Sequence, residues 1–116
     1  MNSKSEHVTW DEFQKIEIRV GTIVEVKDFP EALKPAYKIK IDLGEQIGIK
    51  QSSAQITDLY SKNDLINKQV IVVVNFPPKK IGPFISECLI TGFYNDGNKV
   101  VLATPDQSIP NGTILE

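Results

Sequence analysis

The chain has 116 residues, of which 41% are hydrophobic and 24% are charged, and this matches one globular domain rather than a disordered chain. The formal net charge of −2 excludes a protein whose whole surface attracts polyanions, so a nucleic-acid site has to be a local basic patch. A single cysteine, Cys88, and a single histidine, His7, exclude an intramolecular disulfide and a nitrogen–sulfur zinc site.

The segment before Val8 is polar, and no run approaches the roughly 18 apolar residues of a membrane helix. We therefore expect a cytoplasmic protein without membrane insertion. We expect a flexible N-terminal arm over residues 1–8 and a single domain over residues 9–116. The residue types predict neither a cofactor nor a metal.

The first predicted element is a short helix from Trp10 to Lys15. Thr9 and Glu12 have the spacing of a capping box, in which each side chain satisfies an unpaired backbone N–H. A helix this short is unstable alone and needs a surface to pack on. Trp10 and Phe13 are therefore predicted contacts, either with the rest of the chain or with a second subunit, and we assign them to a dimer interface.

Period-2 alternation of apolar and polar residues predicts the first three strands. The first runs from Ile16 to Lys27, with Val24 on its apolar face and a bulge or bend at Gly21. Prolines interrupt the pattern after it. The predicted elements that follow are a loop over residues 29–35, a strand over 37–43, a turn at 44–45 and a strand over 46–53.

A short helical turn over residues 54–60 and a polar connection over 61–64 precede a β-branched run, 69–76, which predicts a strand buried on both faces. The proline-rich residues 77–83 predict a rigid, basic, unpaired loop. Strands over 85–92 and 99–104 follow, joined by a hairpin turn at 95–98, and then a tail. This order predicts an all-β protein, a small closed or nearly closed barrel. The OB-fold is the common barrel with a helix after the third strand, although periodicity alone does not determine the topology.

The residue inventory gives no catalytic site. His7 lies in the polar arm, away from any patterned strand, and Cys88 alternates with Glu87 in a strand, which predicts a buried thiol. The carboxylates of Asp11 and Glu12 are explained by the helix start. We therefore predict a binding protein and no enzyme.

Basic and polar side chains occur on or beside several predicted strands. Lysine or arginine on a rigid frame contacts phosphate, while amides and hydroxyls bind sugar, phosphate or base edges. Scattered solvated side chains would give the same pattern, so this remains an alternative. The predicted RNA contacts are Arg19, Lys50, Gln51, Ser52, Asn75, Lys79, Lys80 and Ser86.

Aromatic residues flank the loops and give a second candidate surface. Phe76 and Phe84 are predicted to stack on a base or to contact an extended peptide. Packing in the core is the alternative for both rings, because a phenylalanine beside a barrel is more often buried than exposed.

The chain resembles the tRNA-binding-domain family, which occurs alone or attached to some aminoacyl-tRNA synthetases. The similarity extends from about Trp10 to Thr113. Residues 49–56 and the stretch from Leu65 onward resemble the CsaA branch, free-standing members described as export chaperones. The motifs that carry it are Ile18-Arg19-Val20-Gly21, Lys38 to Gly44, Asn75-Phe76-Pro77-Pro78-Lys79-Lys80-Ile81-Gly82, Ser86 and Pro110-Asn111-Gly112.

The resemblance implies a homodimeric OB-fold, joined through the N-terminal helix and the C-terminal segment, that binds tRNA. It places the RNA face at Arg19, Asn75, Lys79 or Lys80, and Ser86. The chain departs from the family where Glu87-Cys88-Leu89 replaces the usual Gln-Gly-Met. A carboxylate beside a phosphate path opposes RNA binding, so this departure favours the alternative, a chaperone that holds unfolded or pre-secretory polypeptides and has largely lost tRNA binding.

Overall fold

A computed structural model describes residues 6–116, and most of the predicted flexible arm, residues 1–5, lies outside them. Short strands dominate the described part. The elements are α1 (Trp10–Gln14), β1 (Ile18–Asp28), β2 (Tyr37–Asp42), α2 (Gly44–Ile47), β3 (Ile49–Ala54), α3 (Lys62–Leu65), β4 (Gln69–Val73), β5 (Lys79–Ile81), β6 (Phe84–Ser86), β7 (Leu89–Ile90), β8 (Gly92–Tyr94) and β9 (Val100–Leu102).

Five strands form a nearly closed antiparallel barrel, which confirms the predicted OB-fold. Their order is β3-β2-β1-β4-β7, and α3 lies between the third and fourth barrel strands. The barrel interior is apolar, because the inward-facing residues of β1, β2 and β4 are branched aliphatics. The fully buried side chains include Ile23, Ile39, Ile41, Leu43, Leu65, Val70 and Val72.

The first strand bends at a different place from the one predicted. The pairing of β1 with β2 shifts between Ile23 and Glu25, so the bulge lies there and not at Gly21. The shift turns Ile23 into the core and leaves Val24 42% exposed, so the predicted apolar face was wrong at this position. Gly21 serves close packing instead, because a Cβ there would lie 2.5 Å from Ile41 Cγ2.

The segment from Gly44 to Leu65 also differs from the sequence prediction. The third strand begins at Ile49 rather than at residue 46, because Gly44, the first residue of α2, and Gly48, which follows it, adopt positive φ angles of 87° and 82°. The helical turn occurs later than predicted, as α3. Its capping box joins the Ser61 hydroxyl to the Asp64 backbone N–H at 3.2 Å.

The C-terminal extension pairs with the half of β1 that β2 leaves uncovered. Val20 donates its backbone N–H to Thr113 at 3.0 Å, and Leu115 donates to Ile18 at 2.8 Å. Gly44 and Gly112 allow the extension to approach the end of β2 closely. A Cβ on Gly44 would lie 2.5 Å from the Asn111 carbonyl oxygen, and one on Gly112 would lie 2.6 Å from the Leu43 carbonyl oxygen. The closing Pro-Asn-Gly motif is therefore part of the barrel wall.

A short seam between β3 and β6–β7 closes the barrel. Glu87 donates its backbone N–H to the Gln51 carbonyl at 2.8 Å, and the Glu87 side chain accepts the Gln51 N–H through Oε1 at 3.1 Å. The carboxylate thus takes the place of a ladder carbonyl. Ser86 continues the seam by accepting the Ser53 N–H at 3.3 Å.

Replacing Glu87 tests the seam. We expect Glu87→Ala to lower the free energy of unfolding by about 1 kcal/mol, at the low end for an unpaired buried donor because Gln51 is half-buried. Glu87→Gln keeps an oxygen acceptor and should cost less. Urea denaturation of both variants measures the difference, and equal losses would show that the side-chain bond does not stabilise the barrel.

Candidate nucleic-acid interface

A groove runs along the outside of the barrel beside β3 and the β5–β6 hairpin. Its first part has a volume of about 530 Å³, with Phe76, Pro77 and Leu89 supplying apolar walls. Phe76 is 54% exposed, so its ring faces solvent at the groove wall. The remaining lining residues are Ser53, Gln55, Lys79, Ile81, Ser86 and Cys88.

The groove continues over the tip of the hairpin toward the β1–β2 loop. This second part has a volume of about 620 Å³ and shares Ser53, Gln55, Lys79 and Ile81 with the first. It adds two lysines, Lys80 from the hairpin and Lys34 from the opposite loop. Glu31, Ala32, Leu33, Ala36 and Gly82 complete its lining. We use the name groove for these two parts together.

The hairpin that carries the lysines was predicted to be an unpaired loop, and this was wrong. Lys79 pairs with Ser86 and Ile81 pairs with Phe84, because the turn at Gly82 and Pro83 leaves the flanking residues free to form a ladder. Gly82 provides the positive φ angle, 57°, that this turn requires. Two exposed lysines are thereby held on a paired frame.

An aromatic contact ties the hairpin to the opposite loop. The rings of Phe84 and Phe29 lie 5.4 Å apart between centroids, and Phe29 is only 4% exposed. Lys38 adds a cation–π contact, with its Nζ 5.6 Å from the centre of the Phe29 ring. Phe84 is half-buried in this cluster, and its packing sets the distance between the two groove walls.

Two of the predicted RNA contacts lie outside the groove, with their polar atoms bound inside the chain. Arg19 is 13% exposed in its side chain, where it donates to Glu17 Oε2 at 2.6 Å and to the Gly112 carbonyl at 2.8 Å. Asn75 accepts the Glu17 N–H at 2.9 Å and donates to the Lys15 carbonyl at 2.7 Å. Asn75 thus joins the end of β4 to the segment between α1 and β1.

Three neighbouring predictions on β3 also lie outside the groove lining. Ser52 is 1% exposed because it faces the core opposite Ile39, and this burial removes its hydroxyl from the surface that an RNA can reach. Gln51 donates its side-chain amide to the Ile85 carbonyl at 2.8 Å. Lys50 lies opposite Ile41 in the ladder between β3 and β2, and it is not among the residues that line the groove. Of the eight predicted contacts, the structure brings Lys79, Lys80 and Ser86 together in the groove.

The sequence analysis did not predict three residues of the groove. Ser53 and Gln55 line both of its parts, and Lys34 lines the second part. A signal was present for the first two. Ser53 lies two positions after Gln51, so period-2 alternation places both on one face of the third strand, and Gln55 continues this spacing just past the end of the strand at Ala54. Lys34 gave no such signal, because a loop has no periodicity.

The buried thiol of Cys88 offers no nucleophile to the groove. Burial, with a smaller contribution from the neighbouring Glu87 carboxylate, raises the pKa of Cys88 to about 12. The thiol is therefore protonated at neutral pH, and it lies 3.7 Å from the Gln51 carbonyl oxygen. Across residues 6–116 the structure contains no cluster of three or more histidine, cysteine or acidic residues suited to a metal.

No helix among the described residues has the length and apolar character needed to cross a membrane.

Residues 18–114 match the family model of the tRNA binding domain. Methionine–tRNA ligases share this region: that of Thermococcus onnurineus is 38% identical over 109 residues, which are 94% of this chain and 14% of the ligase. The chain thus spans about one seventh of the length of the ligases it matches.

Two solved structures match over the whole length of their chains. The CsaA chaperone protein of Picrophilus torridus is 55% identical, with a TM-score of 0.89, and the match covers 95% of this chain and 100% of that one. The chaperone CsaA of Bacillus anthracis is 41% identical, with the same TM-score, over 96% of this chain and 100% of that one. This chain belongs to the tRNA-binding-domain family and is of its CsaA type.

Proposed function

We propose that this chain is a cytoplasmic, non-enzymatic protein that binds tRNA along the groove. The observation that carries the proposal is the placement of Lys79 and Lys80 on a paired hairpin, with Lys34 on the opposite wall of the same groove. A fixed backbone holds the lysines at defined positions along the groove, and contacts between lysine and phosphate supply much of the affinity for nucleic acid.

The polar groups between the lysines suit the same ligand. Ser53 and Gln55 line both parts of the groove, where a hydroxyl and an amide can bind ribose, phosphate or base edges. Glu87, whose charge argued against RNA, does not line the groove, and its Oε1 accepts the Gln51 N–H in the barrel seam. This placement supports RNA binding despite the departure from the family pattern.

Removing the hairpin charges tests the role of the groove. We expect Lys79→Gln with Lys80→Gln to reduce the slope of log affinity against log salt by about one to two units. Each phosphate contact releases counterions when it forms, so the variant releases fewer of them on binding. Fluorescence anisotropy with bulk tRNA at several salt concentrations measures the slope. Lys62→Gln with Lys68→Gln removes the same charge at α3 and the turn after it, away from the groove, and should leave the slope unchanged. A slope unaffected by the hairpin substitutions would exclude Lys79 and Lys80 as phosphate contacts.

We propose further that the protein is a homodimer joined through α1 and the C-terminal segment. Helix α1 buries none of its residues in the described chain, and Trp10 is 64% exposed, with its ring 5.5 Å from that of Phe13. An apolar hollow of about 240 Å³ lies where β1 begins, lined by Ile18, Ile109 and Ile114 among others. A second copy of this chain would cover both surfaces.

Sedimentation equilibrium tests the dimer. We expect Trp10→Ala with Phe13→Ala to shift the protein from dimer toward monomer, because aromatic rings dominate the affinity of such interfaces. Phe93→Ala, at a comparably exposed aromatic on β8, is the control and should leave the mass unchanged. A wild-type protein that is monomeric at all concentrations would contradict the proposal.

A second candidate function is the holding of unfolded polypeptides, as the name of the CsaA chaperones suggests. The first part of the groove favours it, because Phe76, Pro77, Ile81 and Leu89 give that part an open apolar wall. An extended peptide binds such a wall through its apolar side chains.

The two functions respond differently to substitution. If the groove holds polypeptides, Phe76→Ser should weaken suppression of aggregation of an unfolded client, because it removes an exposed apolar contact. Light scattering at an equimolar ratio of client to protein measures this. Phe93→Ser is the matched control on β8. Wild-type protein that fails to slow aggregation would remove the support for this function.

A further inference from the structure

The groove continues into a third hollow, beyond the two parts that the proposed tRNA site occupies. This hollow has a volume of about 290 Å³ and shares Lys34 and Gln55 with the second part of the groove. Its far side is the β8–β9 hairpin, through Tyr94 and Val100. A ligand that follows the groove past Lys34 therefore reaches Tyr94.

Tyr94 presents its ring at this hollow because of the pairing of the hairpin. Tyr94 pairs with Val100, which packs against the core, whereas Phe93 pairs with Val101 on the other face and does not line the hollow. The turn is rigid, because Asn95 and Lys99 exchange two hydrogen bonds of 2.9 Å. Tyr94 is 74% exposed, so its ring is free to stack.

The other side chains of the hollow match the edge of a base better than a phosphate. Gln55 and Asn98 supply amides that donate and accept, and the Asp58 carboxylate accepts from an exocyclic amino group but repels phosphate. Lys34 stands at the entrance and meets the phosphate outside. The polar lining also contrasts with the apolar wall at Phe76, so a nucleotide fits this hollow better than an apolar peptide side chain.

We infer that Tyr94, with Asp58, Gln55 and Asn98, forms a subsite for one unpaired nucleotide, whose base stacks on Tyr94 while its phosphate lies at Lys34. The inference rests on the proposed RNA binding along the groove and adds to it a preference for RNA with a single-stranded segment next to a duplex. Because Asp58 accepts from an amino group, the subsite favours cytosine or adenine over uracil.

The test uses a short RNA hairpin with a blunt end, with unpaired cytidines at its 3′ end, or with unpaired uridines there. Fluorescence anisotropy compares their affinities for the full chain. We expect the cytidine extension to tighten binding at least about fivefold, as one stacked base does, and the uridine extension to tighten it less. Tyr94→Ala should abolish the gain, whereas Tyr94→Phe, which keeps the ring, and Phe93→Ala, which lies on the other face, should retain it.

The outcomes separate this subsite from the groove as a whole. If all three RNAs bind equally well and Tyr94→Ala changes none of them, the subsite is excluded while RNA binding along the groove stands. If none of the RNAs binds even at low salt, the proposed function falls and the subsite falls with it. A cytidine preference that Asp58→Asn removes, with the gain from stacking kept, would assign base recognition to the carboxylate.

Discussion

The paired contact between Gln51 and Glu87 is the constraint on which the geometry of the groove depends. A five-stranded barrel leaves β3 and β7 as edges, and β7 is only two residues long, so a backbone ladder alone closes little of the gap. The Glu87 carboxylate supplies the missing acceptor. Because the β5–β6 hairpin enters the barrel at this seam, the seam also sets where Lys79 and Lys80 lie relative to β3.

The same seam explains a departure from the family sequence that is hard to interpret by residue type alone. From residue type alone, the Glu87 carboxylate is expected to repel phosphate. In the structure, its Oε1 accepts the Gln51 backbone N–H. Cys88 is 7% exposed and packs in the core cluster beneath the first part of the groove. Both residues therefore contact Gln51 at the barrel closure, directly after the lysine-bearing hairpin.

The barrel could be predicted from the sequence because alternation of apolar residues along β2 and the β-branched run of β4 determine which faces are buried. The predictions that were wrong concern features that depend on contacts between distant parts of the sequence. The bulge after Ile23 depends on pairing with β2, and the hairpin at Lys79–Ile81 depends on packing between Phe84 and Phe29. Local proline content predicted an unpaired loop there, since it contains no information about a partner strand.

The candidate site was predictable only in part for a related reason. Arg19 and Asn75 have the residue types of RNA contacts, but the C-terminal segment and the segment between α1 and β1 occupy their polar atoms, and neither contact is visible in a local pattern. Lys79, Lys80 and Ser86 were predicted from residue type and the family motif, and the β5–β6 pairing, which the sequence did not predict, places them beside one another in the groove. Hydrogen bonds between distant segments decide which polar residues remain free to bind a ligand.

In the proposed complex, RNA lies along the groove outside β3 and the β5–β6 hairpin. Titration of isotope-labelled protein with tRNA, followed by backbone amide NMR, tests this most directly. We predict that the largest changes in amide chemical shift occur at Ser53 and Gln55 and at Lys79 and Lys80 of the hairpin. Changes confined to α1 and the C-terminal segment, with an unaffected hairpin, would contradict the account.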